Sequence, residues 1–136
     1  MATVTTTNQI QRTYRDISLS FGLNPVTNDV MSVTGSDDVK QAVRVLLLTL
    51  TGEVPFFPGF GSQLQQLLFQ PADPITTALL TQEIQATLTA FEPRVSILQL
   101  QVTPTPDQHQ YQVFLELQIL NQLTPITTTI FLERIR

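Results

Sequence analysis

The sequence predicts an α+β fold of two layers in a single domain, with an N-terminal β-hairpin, about three helices and a C-terminal three-stranded antiparallel meander. Three observations lead there. Between Ser36 and Phe91, apolar residues recur at helical spacing. From Leu98 to Glu133 they alternate with polar residues, the period of a strand with one buried face. The links between these last runs are short, so consecutive strands pair as antiparallel neighbours.

Residues 1–13 are rich in threonine and poor in apolar side chains. They read as a flexible arm ahead of a domain over residues 14–136. Ile17-Ser18-Leu19-Ser20-Phe21 alternates as a strand does. The turn-rich cluster Asn24 to Asp29 and then Val30-Met31-Ser32-Val33 complete a hairpin.

Ser36-Asp37-Asp38 predicts a helix start, because a hydroxyl caps free amides and aspartates suit the positive helix end. Val39, Val43, Leu46, Leu47 and Leu50 give that helix one buried face, and Thr51-Gly52 ends it. Ser62-Gln63-Leu64-Gln65 matches a capping box, opening a short helix through Phe69. Asp73-Pro74 opens the longest helix. Leu80, Ile84, Leu88 and Phe91 share one face, with Ile75 and Leu79 adjoining, and Pro93 stops it.

Three strands follow. Leu98, Leu100 and Val102 form one apolar set. Tyr111, Val113, Leu115, Leu117 and Ile119 form the second, and Ile126, Thr128, Ile130 and Leu132 the third. Each set predicts the face that packs on the helices.

Composition removes several function classes. A net charge of −4 with seven dispersed Lys and Arg gives no basic face for nucleic acid. The absence of cysteine excludes disulfides and thiolate metal sites, and suits a cytosolic setting. Met1 to Gln11 lacks the basic start and apolar run of a signal peptide. The apolar stretch Val43 to Leu50 is interrupted by Arg44 and Thr49 and is too short to insert into a membrane.

The lone histidine, His109, falls in a polar turn. Neither Gly-x-Ser-x-Gly nor a phosphate-loop spacing is present. Asp37, Asp38 and Asp73 are explained as helix-start charges. Glu53, Glu83 and Glu92 remain as carboxylates for a hydrolase, which needs a pair held across a cleft. No catalytic, cofactor-binding or metal-ligating residue is expected.

Two features point to contacts with other proteins. In a chain with only 13 % charged residues, Glu92-Pro93-Arg94 sets opposite charges on either side of a proline. Proline disfavours the helical conformation before it, so the tripeptide is a short rigid corner between helix and strand. It either ties the fold internally or presents charge to a partner. The second feature is the loop Gly52 to Gly61, whose three phenylalanines, Phe56, Phe57 and Phe60, stand among two prolines and are too apolar for a free linker; it either packs over the core or exposes an aromatic contact surface.

Taken in order, the following segments resemble one family. They are Tyr14-Arg15-Asp16-Ile17, Asn24-Pro25-Val26-Thr27, Leu46-Leu47-Leu48-Thr49 with Gly52-Glu53, and Pro58-Gly59-Phe60-Gly61. Leu67-Leu68-Phe69, Asp73-Pro74-Ile75-Thr76 and Glu92-Pro93-Arg94 complete the series. It resembles the baseplate wedge family of contractile phage tails, type VI secretion and related contractile injection systems, also labelled lysozyme-like or sheath initiator. The resemblance runs from Tyr14 to the C-terminus.

It implies a structural role in the baseplate of a phage or injection particle. It implies sheath protein and baseplate wedge proteins as partners, with tube or hub proteins as further candidates. It also implies a sheet onto which the first sheath ring adds strands. A meander has an edge whose free amides and carbonyls accept a strand, so Ile126, Thr128, Ile130 and Leu132 join Glu92, Pro93, Arg94, Phe57 and Phe60 as candidate partner-binding residues. The competing expectation is a peptidoglycan hydrolase of a tail.

Overall fold

The computed structural model describes residues 14–105, 109–120 and 122–133. The predicted arm, residues 1–13, lies outside them. The chain divides after Asp38 into two compact units.

The first unit holds the hairpin. Strand β1 (Arg15–Ile17) pairs antiparallel with β2 (Ser32–Thr34), with Arg15 opposite Thr34 and Ile17 opposite Ser32. A bridge joins Leu23 and Val30. The Asn24–Asp29 turn is as expected, and the Asn24 carboxamide oxygen accepts the Val26 amide at 3.0 Å.

The strands are displaced from their expected places. β1 ends at Ile17, where the sequence pattern starts a strand running to Phe21. The Ser18 hydroxyl bonds the Ser20 hydroxyl at 2.8 Å, and the Phe21 amide donates to the Ser18 carbonyl at 3.0 Å. Such local bonds compete with a ladder. They turn the chain, and Phe21 takes a left-handed φ of 49°.

The second unit contains the helices and the main sheet. Helix α1 (Ser36–Leu48) straddles the boundary and buries Val39, Val43, Leu46 and Leu47. Helix α2 (Leu64–Leu68) is a single turn that buries Leu64 and Leu68. Its cap differs from the expected box. Ser62 turns away, and its hydroxyl donates to the Leu47 carbonyl at 2.8 Å. The Gln63 amide is accepted instead by the Glu83 carboxylate at 3.0 Å, reaching across from the next helix.

That helix, α3 (Pro74–Phe91), buries Leu80, Ile84 and Leu88. Each such side chain contributes about 1.5–3 kcal/mol by leaving water. Asp73 caps α3. Its carboxylate accepts the Thr76 amide at 2.6 Å, and this bond holds its pKa below the usual carboxylate value. Ile75 stays exposed and Leu79 partly so, so the buried stripe is narrower than the expected one.

Strands β3 (Val95–Thr105), β4 (Gln110–Ile119) and β5 (Ile126–Glu133) form an antiparallel sheet in the order β3-β4-β5. Tyr111, Val113, Leu115, Leu117 and Ile119 line the buried face of β4. Ile126, Ile130 and Leu132 do so on β5. Helix α3 packs along β3 on this face. The opposite face carries the exposed Gln101, Gln112, Thr127 and Thr129.

The expected inward position of Leu98 is corrected. Ile97 pairs with Leu117, and the next pair is Gln99 with Glu116. Leu98 is therefore the extra residue of a β-bulge, which switches the pleat. It is 55 % exposed, and Ile97, Leu100 and Val102 hold the more buried positions.

Candidate functional site

The Glu92-Pro93-Arg94 corner is built by the end of α3. The Glu92 amide still donates to the Leu88 carbonyl at 2.9 Å, so the helix closes normally before Pro93. The Val95 amide then bonds the Glu92 carbonyl at 3.3 Å, and the Leu120 amide bonds the Arg94 carbonyl at 2.9 Å. The second bond joins the corner to the far end of β4.

The two charges meet each other. Arg94 Nε donates to Glu92 Oε1 at 2.5 Å and its Nη2 to Oε2 at 2.7 Å. This is a bidentate, charge-assisted pair with both carboxylate oxygens engaged. The Glu92 side chain is 8 % exposed and that of Arg94 29 %. Of the two roles open to the corner from its sequence, the internal tie is present in this chain. Pro93 remains exposed at its apex.

The second feature joins the first. The ends of the loop after α1 are pinched together: the Ser62 amide bonds the Thr49 carbonyl at 2.9 Å and the Thr51 amide bonds the Ser62 carbonyl at 3.2 Å. Gly61 sits in this neck with φ 110°, and a Cβ there would lie 2.7 Å from the Thr49 carbonyl oxygen. Only glycine fits such an approach.

Above the neck, Phe57 and Phe60 pack on Phe91, the last residue of α3. Ring centroids are 5.3 Å apart for Phe60–Phe91 and 6.5 Å for Phe57–Phe91, both edge-on, with Phe57–Phe60 at 6.0 Å. Such pairs add about 0.5–1.5 kcal/mol beyond burial. Phe91 thus links the loop to the Glu92 corner. Phe60 is half-buried, and Phe57 stays 55 % exposed.

The sequence reading counted Phe56 in the aromatic loop but named only Phe57 and Phe60 for partner binding; Phe56 is the fully exposed one, with a left-handed φ of 66°. A signal for it exists in Pro55, which suits the second position of the Val54–Phe57 turn and leaves Phe56 at the third, where φ is positive.

The third feature is the edge of the main sheet. Ile126, Ile130 and Leu132 are buried and Thr128 half-buried, so β5 offers a partner its backbone and its outward Thr127, Thr129 and Phe131. Among the described residues β5 pairs only with β4. The two outer strands are unlike. β3 carries the bulge at Leu98 and Pro104, both of which blunt an edge. β5 has neither. Beside its C-terminal end a cavity of about 250 Å³ is lined by Leu47, Leu48, Leu64, Leu68, Phe131 and Leu132, with Gln65 and Glu133 at its polar margin.

Three further carboxylates accept backbone amides. Glu53 accepts the Leu50 amide at 2.9 Å, Glu83 caps α2 and Asp73 caps α3. Among the described residues, no group of three or more His, Asp or Glu could hold a metal ion. No described helix is long and apolar enough to cross a membrane.

The chain is 26 % identical over 112 residues to baseplate wedge protein gp25 of Enterobacteria phage T4, covering 82 % of this chain and 84 % of that protein. Solved structures share the fold, three of them as follows. One is a protein described as a tail lysozyme from Geobacter sulfurreducens, with TM-score 0.71 and 20 % identity, covering 79 % of this chain and 98 % of that one. The second is a chain of the anti-feeding prophage baseplate, with TM-score 0.63 and 16 % identity, covering 91 % and 88 %. The third is a chain of the post-contraction pyocin R2 baseplate, with TM-score 0.52 and 18 % identity, covering 81 % and 96 %. Residues 33–124 match the baseplate wedge protein gp25 family. The chain belongs to the baseplate wedge protein gp25 family of contractile tails.

Proposed function

We propose that this protein starts sheath polymerisation in a contractile particle by accepting an extended sheath segment along β5. In this reading it also binds the wedge core near the tube, through the corner around Glu92, Pro93 and Arg94 and the adjoining Phe57 and Phe60. It acts by binding and not by catalysis, and it joins the particle during assembly in the bacterial cytoplasm.

The observation that carries the reading is the difference between the two sheet edges. β5 pairs with β4 in unbroken register and is free of proline, with Thr127, Thr128 and Thr129 in its first half. Threonine-rich strands suit pairing. An added strand would gain affinity from backbone bonds and specificity from alternate side chains.

A proline scan of Thr127, Thr128 and Thr129 tests it. Along an antiparallel edge, backbone amides alternate between the partner strand and the open side. Proline at an outward amide leaves the β4 ladder intact and removes one donor from the free edge. The variant in that register should fold with an unchanged melting temperature, enter baseplates, and fail to start a sheath. Normal sheaths from every folded variant would contradict the proposal.

A further inference from the structure

Resting on the wedge-core contact proposed for the Phe57 and Phe60 loop, we infer that Phe56 is a preformed anchor that inserts into an apolar pocket on another baseplate protein, a contact separate from strand addition at β5. The starting point is an outlier. Phe56 holds a left-handed φ of 66°, a region that bulky residues rarely occupy. Its ring is also fully exposed. Neither feature helps the free chain: the backbone is strained and the ring packs on nothing.

Strain of this kind persists only where the surroundings over-determine it, and it concentrates at functional positions. The surroundings here do so. Pro55 and Pro58 flank the phenylalanine pair and fix their own φ. The Phe57 amide bonds the Val54 carbonyl at 3.3 Å, and the Phe60 amide bonds the Phe57 carbonyl at 3.1 Å. Phe57 and Phe60 are held against Phe91, and the neck at Thr49, Thr51 and Ser62 closes the loop. The loop is thereby a mount that points one aromatic ring outward.

A rigid aromatic knob is what the centre of a protein interface uses. Because its backbone is already fixed, little ordering entropy is lost on contact.

Charge selects the class of partner. Glu53 stands in this loop, and no lysine or arginine occurs from Val45 to Pro93. An exposed phenylalanine in a loop whose single charged residue is Glu53 is unsuited to an anionic membrane or to nucleic acid. It fits an aliphatic or aromatic pocket whose rim is neutral or basic.

The test uses whole particles. Benzoylphenylalanine in place of Phe56 is photo-crosslinked in purified baseplates lacking sheath, and the crosslinked protein is identified. Phe56→Ala and Phe56→Asn are scored in parallel for melting temperature and for incorporation into the same baseplates. Asparagine tolerates the left-handed backbone, so that variant removes only the ring.

The expected result is a crosslink to one different baseplate protein and about a tenfold loss of incorporation for both variants. Their melting temperatures should be equal to or above that of the unaltered protein. Four outcomes would overturn the inference. They are a crosslink only to a second copy of this chain, full incorporation of both variants, a lowered melting temperature for Phe56→Asn, or Phe56-dependent sedimentation with anionic phospholipid vesicles. Sheath is absent from these particles, so failure of this contact and failure of strand addition at β5 are read separately.

Discussion

Arg94 clasps Glu92 with two hydrogen bonds, at 2.5 and 2.7 Å, across the single residue Pro93. The proline turns the chain out of α3, and the pair locks the turn. The carboxylate lies almost wholly inside, while the guanidinium keeps part of its surface open. The corner is therefore a strut of the free protein before it is anything else.

Removing one partner should cost more than removing both. Arg94→Ala leaves a buried carboxylate without its cation, a loss of about 1–3 kcal/mol after allowing for the exposed part of Arg94. Arg94→Lys should recover only part, since an ammonium cannot reproduce two parallel bonds. The double variant Glu92→Gln with Arg94→Ala should be more stable than Arg94→Ala alone. Urea denaturation of the four proteins checks the order. Equal stability for all would show that the pair does not brace the corner.

Gly61 offers a test with its own control. Gly61→Ala places a Cβ 2.7–2.8 Å from the Thr49 and Leu50 carbonyl groups and forces a left-handed residue. It should destabilise by about 2 kcal/mol or more. Gly59 lies in the same loop, and a Cβ there meets nothing within 4 Å. Gly59→Ala should change stability by about 0.5 kcal/mol or less in either direction.

The fold was legible wherever periodicity and caps agreed. Val39, Val43, Leu46 and Leu47 on α1 and Leu80, Ile84 and Leu88 on α3 are buried as their spacing predicts. So are the alternating residues from Tyr111 to Ile119 on β4. What escaped was decided by partners distant in sequence or by local competition. Leu98 alternates correctly on paper, but a bulge is a property of two strands and cannot be seen in one. Ser62 fits a capping box locally, but the Leu47 carbonyl competes for its hydroxyl and Glu83 supplies the cap from twenty residues away.

The candidate site was legible to the same degree. Glu92 and Arg94 stood out by charge, but only the folded chain joins them to each other and connects the Phe57–Phe60 loop to Phe91. Ile126, Ile130 and Leu132 were named for pairing by alternation, and the same alternation buries their side chains.

Acid should expose the Asp73 cap. Its carboxyl titrates below the usual carboxylate value because the charged form accepts the Thr76 amide. The sign follows: the folded chain binds fewer protons than the unfolded one. The cap's contribution is therefore complete above the unfolded pKa, about 3.9, and is lost as pH falls through the lower folded value. Asp73→Asn caps without titrating. Its stability difference from the unaltered protein should be constant from pH 7 to about 5 and shift in favour of asparagine below about 4. Denaturation curves across that range decide it; a difference independent of pH would exclude the titrating cap.

Cell-wall hydrolysis should be absent. Glu53, Glu83 and Asp73 each accept a backbone amide, and Glu92 is tied to Arg94. The purified protein should release no soluble fragments from peptidoglycan. Release that Glu53→Gln or Glu92→Gln abolished would overturn the non-catalytic reading.

The most direct measurement is a cryo-electron microscopy map of the assembled, sheathed baseplate at a resolution that traces backbone. The role proposed for β5 requires an extended segment of a sheath subunit hydrogen-bonded along Ile126–Glu133, making a fourth strand beyond β5. A sheath-bearing particle in which that edge faces solvent, or is covered by a different protein, would contradict it.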